Sequence, residues 1–135
     1  MKIEPYLFFG GNAEEALAYY AEVLGGTVEE KLRYADSPAP VPPEYMPSGG
    51  PHKLMHASLL VQGQRLMLSD GMRGGSGKFL GIALTLQYDT EAEAKRTYET
   101  LAREGTVVMP MGSTFFSPCY GVVIDRFGVQ WMVMT

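Results

Sequence analysis

Apolar residues recur at helical spacing in two stretches and alternate with polar ones through most of the rest. Ala13, Ala16, Leu17, Tyr20, Val23 and Leu24 predict a first helix. Asn12 and Glu15 ahead of it have capping-box spacing, and Gly25-Gly26 is the stop. Thr90 and Glu93 repeat the box before a second helix, whose stripe is Ala94, Tyr98 and Leu101 and whose stop is Gly105. Both helices are amphipathic, so each is expected to cover one face of a sheet.

Period-two alternation predicts eight strands. Ile3–Phe9 precedes the first helix, and Thr27–Tyr34, Lys53–Val61 and Arg65–Ser69 follow it, the last two joined by the short loop Gln62-Gly63-Gln64. Gly81–Tyr88 precedes the second helix, and Thr106–Met111, a stretch around Phe116–Ile124 and Val129–Met134 follow it, with Asp125-Arg126-Phe127-Gly128 as the last turn. The order strand, helix, three strands is thus written twice, as an architectural rather than a literal repeat. Within Gly81–Tyr88, Ile82, Leu84 and Leu86 are expected to face the helix, with Gly81, Ala83, Thr85 and Gln87 on the other side. Ala35–His52 holds six of the nine prolines and predicts a long irregular loop. The organisation expected is one domain: module one over about 1–70, a glycine-rich linker over about 71–79, and module two over about 80–135.

Composition narrows the function classes. Across 135 residues, 46% are hydrophobic and 19% charged, enough apolar material for a core. Eleven basic against fifteen acidic residues leave a net charge of −4, which argues against nucleic acid or an acidic membrane as partner. No apolar run approaches the roughly 20 residues a membrane span needs. The single cysteine, Cys119, cannot form an internal disulfide, so a cytoplasmic protein is the expectation.

Three segments resemble a known family. They are Pro5-Tyr6-Leu7-Phe8-Phe9-Gly10-Gly11-Asn12-Ala13-Glu14-Glu15-Ala16 with Tyr19-Tyr20 and Leu24-Gly25-Gly26; His56-Ala57-Ser58-Leu59 with Leu66-Met67-Leu68-Ser69-Asp70; and Asp125-Arg126-Phe127-Gly128-Val129-Gln130-Trp131. Together they resemble the PhnB-like branch of the glyoxalase/bleomycin resistance/dioxygenase (vicinal oxygen chelate) superfamily. The resemblance implies an α+β fold of two βαβββ modules, a curved mixed sheet around a cavity, and a homodimer. In metal enzymes of that superfamily, His, Glu or Gln on the first and last strands of each module hold a divalent ion. Carried over, those positions fall near Pro5, at Met67 or Ser69, at Gly81 and at Met132. None is a usual ligand, so no metal and no cofactor are expected there.

The remaining chemistry is sparse. His52 and His56 lie about 13 Å apart if the chain is extended, too far to share an ion. His56 itself is either a core-edge residue hydrogen-bonded to a carbonyl or to Ser58, or a cavity-lining donor or base. Cys119 lacks a charged neighbour and reads as a small buried residue. Asp70 and Asp125 read as turn residues. Gly74-Gly75-Ser76-Gly77-Lys78 departs from a phosphate loop, with Met72 where the leading glycine belongs and Phe79 where Ser/Thr would hold magnesium.

The expectation is therefore a protein that binds a small organic molecule in an apolar cavity. Its candidate lining is His56, Ser58, Met67, Thr85, Gln87, Phe115, Tyr120 and Met132. The alternative is a metal-dependent lyase/isomerase or dioxygenase that uses a non-standard set such as His56 with Asp70 or Glu4. Which of the two holds, and so whether the protein is an enzyme, the sequence leaves open.

Overall fold

The computed structural model describes residues 1–71 and 78–135. The core of the predicted linker and most of the Gly74–Lys78 stretch lie outside the described residues. The fold is α+β, with two compact units, 1–77 and 78–135, each a βαβββ module carrying its own open four-stranded sheet. Among the described residues, no helix is long and apolar enough to cross a membrane.

In the first unit the elements are β1 (Tyr6–Phe8), α1 (Ala13–Leu24), β2 (Thr27–Arg33), β3 (Leu54–Val61) and β4 (Gln64–Ser69). The strand order is β1-β4-β3-β2, with β1 parallel to β4 and the other pairs antiparallel. Strand pairing puts Leu7, Leu68 and Ala57 in one row and Leu66 and Leu59 in the next. These side chains are buried with Ala13, Ala16, Leu17 and Tyr20 of α1. Gly26 is held to glycine by this packing, since a Cβ there would lie 2.8 Å from the Val61 side chain and 2.9 Å from that of Leu59. The predicted loop between β3 and β4 shortens to two residues, Gln62 and Gly63, because Val61 pairs directly with Gln64. Both loop residues have positive φ (47° and 79°), as a tight hairpin turn requires.

The Asn12 capping box does not form, for Asn12 makes no side-chain cap. Instead Asp70, 57 residues away, accepts from the Ala13 N–H (2.9 Å) through one oxygen and from the Leu54 N–H (2.8 Å) through the other. A carboxylate suits the positive end of the helix dipole as well as the orphan donor. Asp70 is therefore a clasp between α1 and β3 rather than a turn residue. The first strand is also shorter than predicted, leaving Ile3 exposed ahead of it.

The proline-rich segment contains two single-turn 3₁₀ helices, Tyr34–Asp36 and Pro43–Tyr45. Backbone bonds from Tyr34 N–H to the Lys53 carbonyl (3.1 Å) and Ala35 N–H to the Pro51 carbonyl (2.8 Å) close its base. Arg33 donates to the His52 carbonyl, and Lys53 Nζ donates to that of Gly11.

The second unit comprises β5 (Leu84–Gln87), α2 (Glu91–Ala102), β6 (Thr106–Gly112), β7 (Tyr120–Ile124) and β8 (Gln130–Met134), ordered β5-β8-β7-β6 with β5 parallel to β8. Leu84, Trp131 and Val123 form one row, and Leu86, Val133 and Gly121 the next. Gly121 lies against α2, where an added Cβ would meet the Tyr98 ring at 2.7 Å. Ile82, expected on this face, precedes β5 and is 62% exposed.

Thr90 caps α2 as predicted, its Oγ1 accepting from the Glu93 N–H, while the Glu93 carboxylate accepts from the Thr90 hydroxyl. Gly105, by contrast, is not the left-handed stop. Glu104 takes that conformation (φ 64°), and Gly105 is needed because a Cβ there would lie 2.3 Å from the Ile124 carbonyl. The stretch expected around Phe116–Ile124 becomes strand only at Tyr120, after a turn in which Thr114 Oγ1 accepts from the Ser117 N–H.

Candidate functional site

The face of the first sheet away from α1 carries the polar chemistry. Helix-facing positions take Leu7, Ala57, Leu59, Leu66 and Leu68, so alternation turns Tyr6, Phe8, His56, Ser58, Met67 and Ser69 the other way. Register aligns Tyr6, Met67, Ser58 and Glu30 across all four strands.

Three of these groups form a chain. Tyr6 Oη lies 3.1 Å from His56 Nδ1, and His56 Nε2 lies 3.0 Å from Glu30 Oε2. A carboxylate only accepts, so Nε2 carries the proton, and in the neutral ring Nδ1 accepts from the tyrosine hydroxyl. The Tyr6 ring also sits 4.8 Å from Phe8 and 5.7 Å from His56, centroid to centroid. Exposure grades along the chain, from 30% for the His56 side chain to 65% for Glu30, so the carboxylate end meets water. His56 thus bonds neither to a carbonyl nor to Ser58, as the core-edge reading supposed.

Ser58, the next residue of β3 on that face, is 1% exposed, and its Oγ has no hydrogen-bond partner among the described residues. A buried hydroxyl left unpaired costs free energy, so the group needs a reason to be there. Nearby, the Tyr34 hydroxyl donates to the Gly71 carbonyl at 3.2 Å. Burial pushes the Tyr34 phenol up, with smaller contributions from Tyr6 and the Asp70 carboxylate. Ser69 Oγ accepts from the Gly71 N–H, and Arg65 pairs with Glu4 and Glu29. Asp70 and Glu4, the carboxylates considered with His56 in the sequence, are thus engaged elsewhere. Glu30 meets the imidazole instead.

On the second sheet the face away from α2 carries Thr85 and Met132 in one row with Val122, and Gln87 and Met134 in the next with Tyr120. Its polarity is low, and Thr85 Oγ1 has only the Met132 sulfur, at 4.0 Å. Phe116 packs edge-on to Tyr120 at 4.9 Å, while Phe115 is wholly exposed. Of the candidate residues, then, His56, Ser58 and Met67 share one sheet face and Thr85, Gln87, Tyr120 and Met132 share another. Cys119 is buried without a charged neighbour among its hydrogen-bond partners, its N–H donating to Ser117 Oγ.

The positions at which the superfamily binds a divalent ion hold unsuitable donors. Pro5 precedes β1, and its carbonyl accepts from the Met67 N–H, so the residues of β1 on the face away from the helix are Tyr6 and Phe8. Tyr6 is the one of these next to Pro5 in sequence. Gly81 lies ahead of β5. A phenol, thioethers and hydroxyls at Tyr6, Met67, Ser69, Thr85 and Met132 do not make a site for zinc, iron or manganese. Among the described residues, no group of three or more His, Cys, Asp or Glu is placed to hold a metal ion.

Sequence reasoning singled out His56 and Ser58 but missed Glu30 and the role of Tyr6. Neither partner has a local signature, since they lie 26 and 50 residues from His56. Alternation within Thr27–Tyr34 and Ile3–Phe9 was the available signal.

Comparison with known proteins agrees with this architecture. Residues 1–134 match the model of the family described as 3-demethylubiquinone-9 3-methyltransferase. The chain is 35% identical to protein YjdN of Escherichia coli K12, over 98% of this chain and 94% of that one. It is 41% identical to protein PA1353 of Pseudomonas aeruginosa, covering 99% and 96% of the two chains at a TM-score of 0.87. It is 29% identical to a Bacillus cereus protein titled a putative 3-demethylubiquinone-9 3-methyltransferase, PhnB protein, covering 99% and 98% at 0.80. A glyoxylase/bleomycin resistance protein/dioxygenase domain from Frankia shares the fold at 0.67 with 13% identity over 99% and 95% of the chains. The chain belongs to the family described as 3-demethylubiquinone-9 3-methyltransferase and shares the fold of the glyoxylase/bleomycin resistance protein/dioxygenase domain.

Proposed function

We propose that this protein binds a small organic molecule against the face of the first sheet that carries Tyr6, His56 and Ser58, without a metal at the superfamily's usual position, and works as a cytoplasmic homodimer. The observation that carries the reading is the Ser58 hydroxyl, buried and without a partner among the described residues, beside the Tyr6–His56–Glu30 chain. Native proteins leave few such groups unpaired, and a ligand oxygen or nitrogen would satisfy this one. Phe8 and Met67 on the same face add apolar surface, as is usual in a small-molecule site. The family description names a methyl transfer, but the chain carries no G-x-G-x-x-G that follows a strand and opens a helix for a nucleotide-like cofactor.

Thermal melting against a library of metabolites tests the proposal. A compound that binds the native state raises the melting temperature in proportion to its occupancy, and Ser58→Ala should reduce that rise. Elemental analysis of protein purified without chelators accompanies it. No stabilising compound would leave a purely structural domain. One stoichiometric transition metal per chain, lost in His56→Ala, would favour the metal enzyme instead.

A further inference from the structure

We infer that Tyr6, His56 and Glu30 form a proton relay that removes the proton of a weakly acidic hydroxyl, a phenol or an enol, and holds the molecule as its anion. The inference deepens the small-molecule reading and rests on it. It starts from the direction of the hydrogen bonds. Glu30 fixes the His56 tautomer by accepting from Nε2, which leaves Nδ1 as the acceptor of the Tyr6 proton. Tyr6 Oη therefore presents lone pairs outward and can only accept from a bound molecule. A ligand without a proton to give gains nothing there, whereas an O–H acid completes the chain.

The transfer balances. The ligand O–H bond breaks as its proton passes to Tyr6 Oη, and the Tyr6 proton passes to His56 Nδ1. The products are the ligand oxyanion, a neutral Tyr6 and an imidazolium held against the Glu30 carboxylate. No net charge is created, and no oxidant, reductant or co-reactant is needed. The logic is that of a nucleophile, base and orienting carboxylate, with a phenol at the end that meets the ligand. Ser58, on the His56 side of β3 and without a partner among the described residues, is the donor assigned to the new anion in this scheme. The Glu30 carboxylate, at the end that meets water, keeps that imidazolium paired. Neighbouring charges do not compete, because Arg65 is paired with Glu4 and Glu29, Asp70 is occupied by backbone N–H groups, and Tyr34 donates to the Gly71 carbonyl. In this scheme Tyr6 touches the ligand, while His56 and Glu30 are positioning residues that act through it.

Nitrophenols are suitable probes, since the neutral and ionised forms differ in visible absorbance. Titrated into the protein at a pH well below that at which free nitrophenol ionises, the probe should bind with the phenolate spectrum. Tyr6→Phe and His56→Gln should abolish the phenolate band while binding, read by melting temperature, persists. Ser58→Ala should weaken binding roughly tenfold, as for loss of a hydrogen bond to a charged group. Glu30→Gln should reduce the phenolate fraction. Far-ultraviolet circular dichroism checks that each variant is folded. Nitrophenol that binds but stays neutral would overturn the relay and leave the small-molecule reading standing. A phenolate band retained in His56→Gln would overturn it equally. Failure of nitrophenol to bind at millimolar concentration would overturn the proposed ligand class, while the metabolite library judges small-molecule binding by itself.

Discussion

Ser58→Ala separates a residue kept for binding from one kept for stability. The serine Oγ is buried on the face away from α1 and finds no partner among the described residues. Burying an unpaired hydroxyl costs about 1–3 kcal/mol by mutational measures, while the dispersion attraction of a single oxygen atom offsets only a modest part of that. Alanine should therefore stabilise the ligand-free protein by about 0.5–1.5 kcal/mol. For a chain of this size that is a rise in melting temperature of a few degrees. Urea unfolding followed by the fluorescence of Trp131, the one tryptophan, measures the change as a shift in midpoint at constant slope. The same variant should lose affinity for any ligand the site accepts. A gain in stability with a loss in binding is the signature of a functional residue held at a cost to the fold. If Ser58→Ala instead destabilises by more than about 0.5 kcal/mol, the hydroxyl is paired in the native protein. It would then not be the free donor on which the binding proposal rests.

Other perturbations probe the scaffold of each unit. Asp125 is buried, accepts from the Phe127 and Val129 N–H groups through one oxygen, and accepts from Trp131 Nε1 through the other. Asp125→Ala orphans three donors and should cost about 3–5 kcal/mol, whereas Asp125→Asn keeps one acceptor oxygen and should cost about half as much; equal midpoints in urea would refute the assignment. Glu14 is held down to about 2, first by its hydrogen bond to Arg33 and then by Lys31. Its contribution is present above the ordinary value near 4.5 and lost as pH falls from there toward 2. Because the pair is nearly half exposed, Glu14→Gln should cost only about 0.5–1 kcal/mol at neutral pH, with the two proteins converging by pH 2 in acid-unfolding curves. Gly105→Ala drives a Cβ against the Ile124 carbonyl and should cost about 1–3 kcal/mol, while Gly25→Ala, in open space, should cost only the strain of its left-handed φ; calorimetry that ranks them the other way would contradict the packing.

What could be read from the sequence was local. The stripe from Ala13 to Leu24 and the Thr90–Glu93 box depend on residues three or four apart, and they appear where expected. The Gln62-Gly63 turn likewise depends on its own φ angles. The failures that bear most on the site are non-local. Asn12 had the right chemistry for a cap, but a buried carboxylate from β4's far end reached the same N–H with a full charge, and the stronger acceptor won. Gly105 looked like a helix stop because glycine usually is one, yet its constraint comes from a carbonyl nineteen residues on. His56 was visible as a candidate, but the partners that give it a direction come from β1 and β2, and pairing of distant strands leaves no trace in a single sequence.

The direction of the side chains on β1 has the largest chemical consequence. Side-chain direction on a strand has period two, so a slip of one position exchanges every inward group for an outward one. Leu7 and Phe9 settle the question, since both are buried, and turning them over would forfeit about 1.5–3 kcal/mol for each. The Phe9 N–H also donates to the Ser69 carbonyl, pinning the end of the strand against β4. Burial of two apolar side chains thus fixes which polar residue of β1 faces away from α1, and that residue is a phenol. In the proposed relay, a phenol beside an imidazole and a carboxylate takes the place of an ion-binding histidine. The change of chemistry follows from the core that aims Tyr6 as much as from Tyr6 itself. Any substitution that loosens Leu7 or Phe9 should then disturb ligand ionisation before it unfolds the domain.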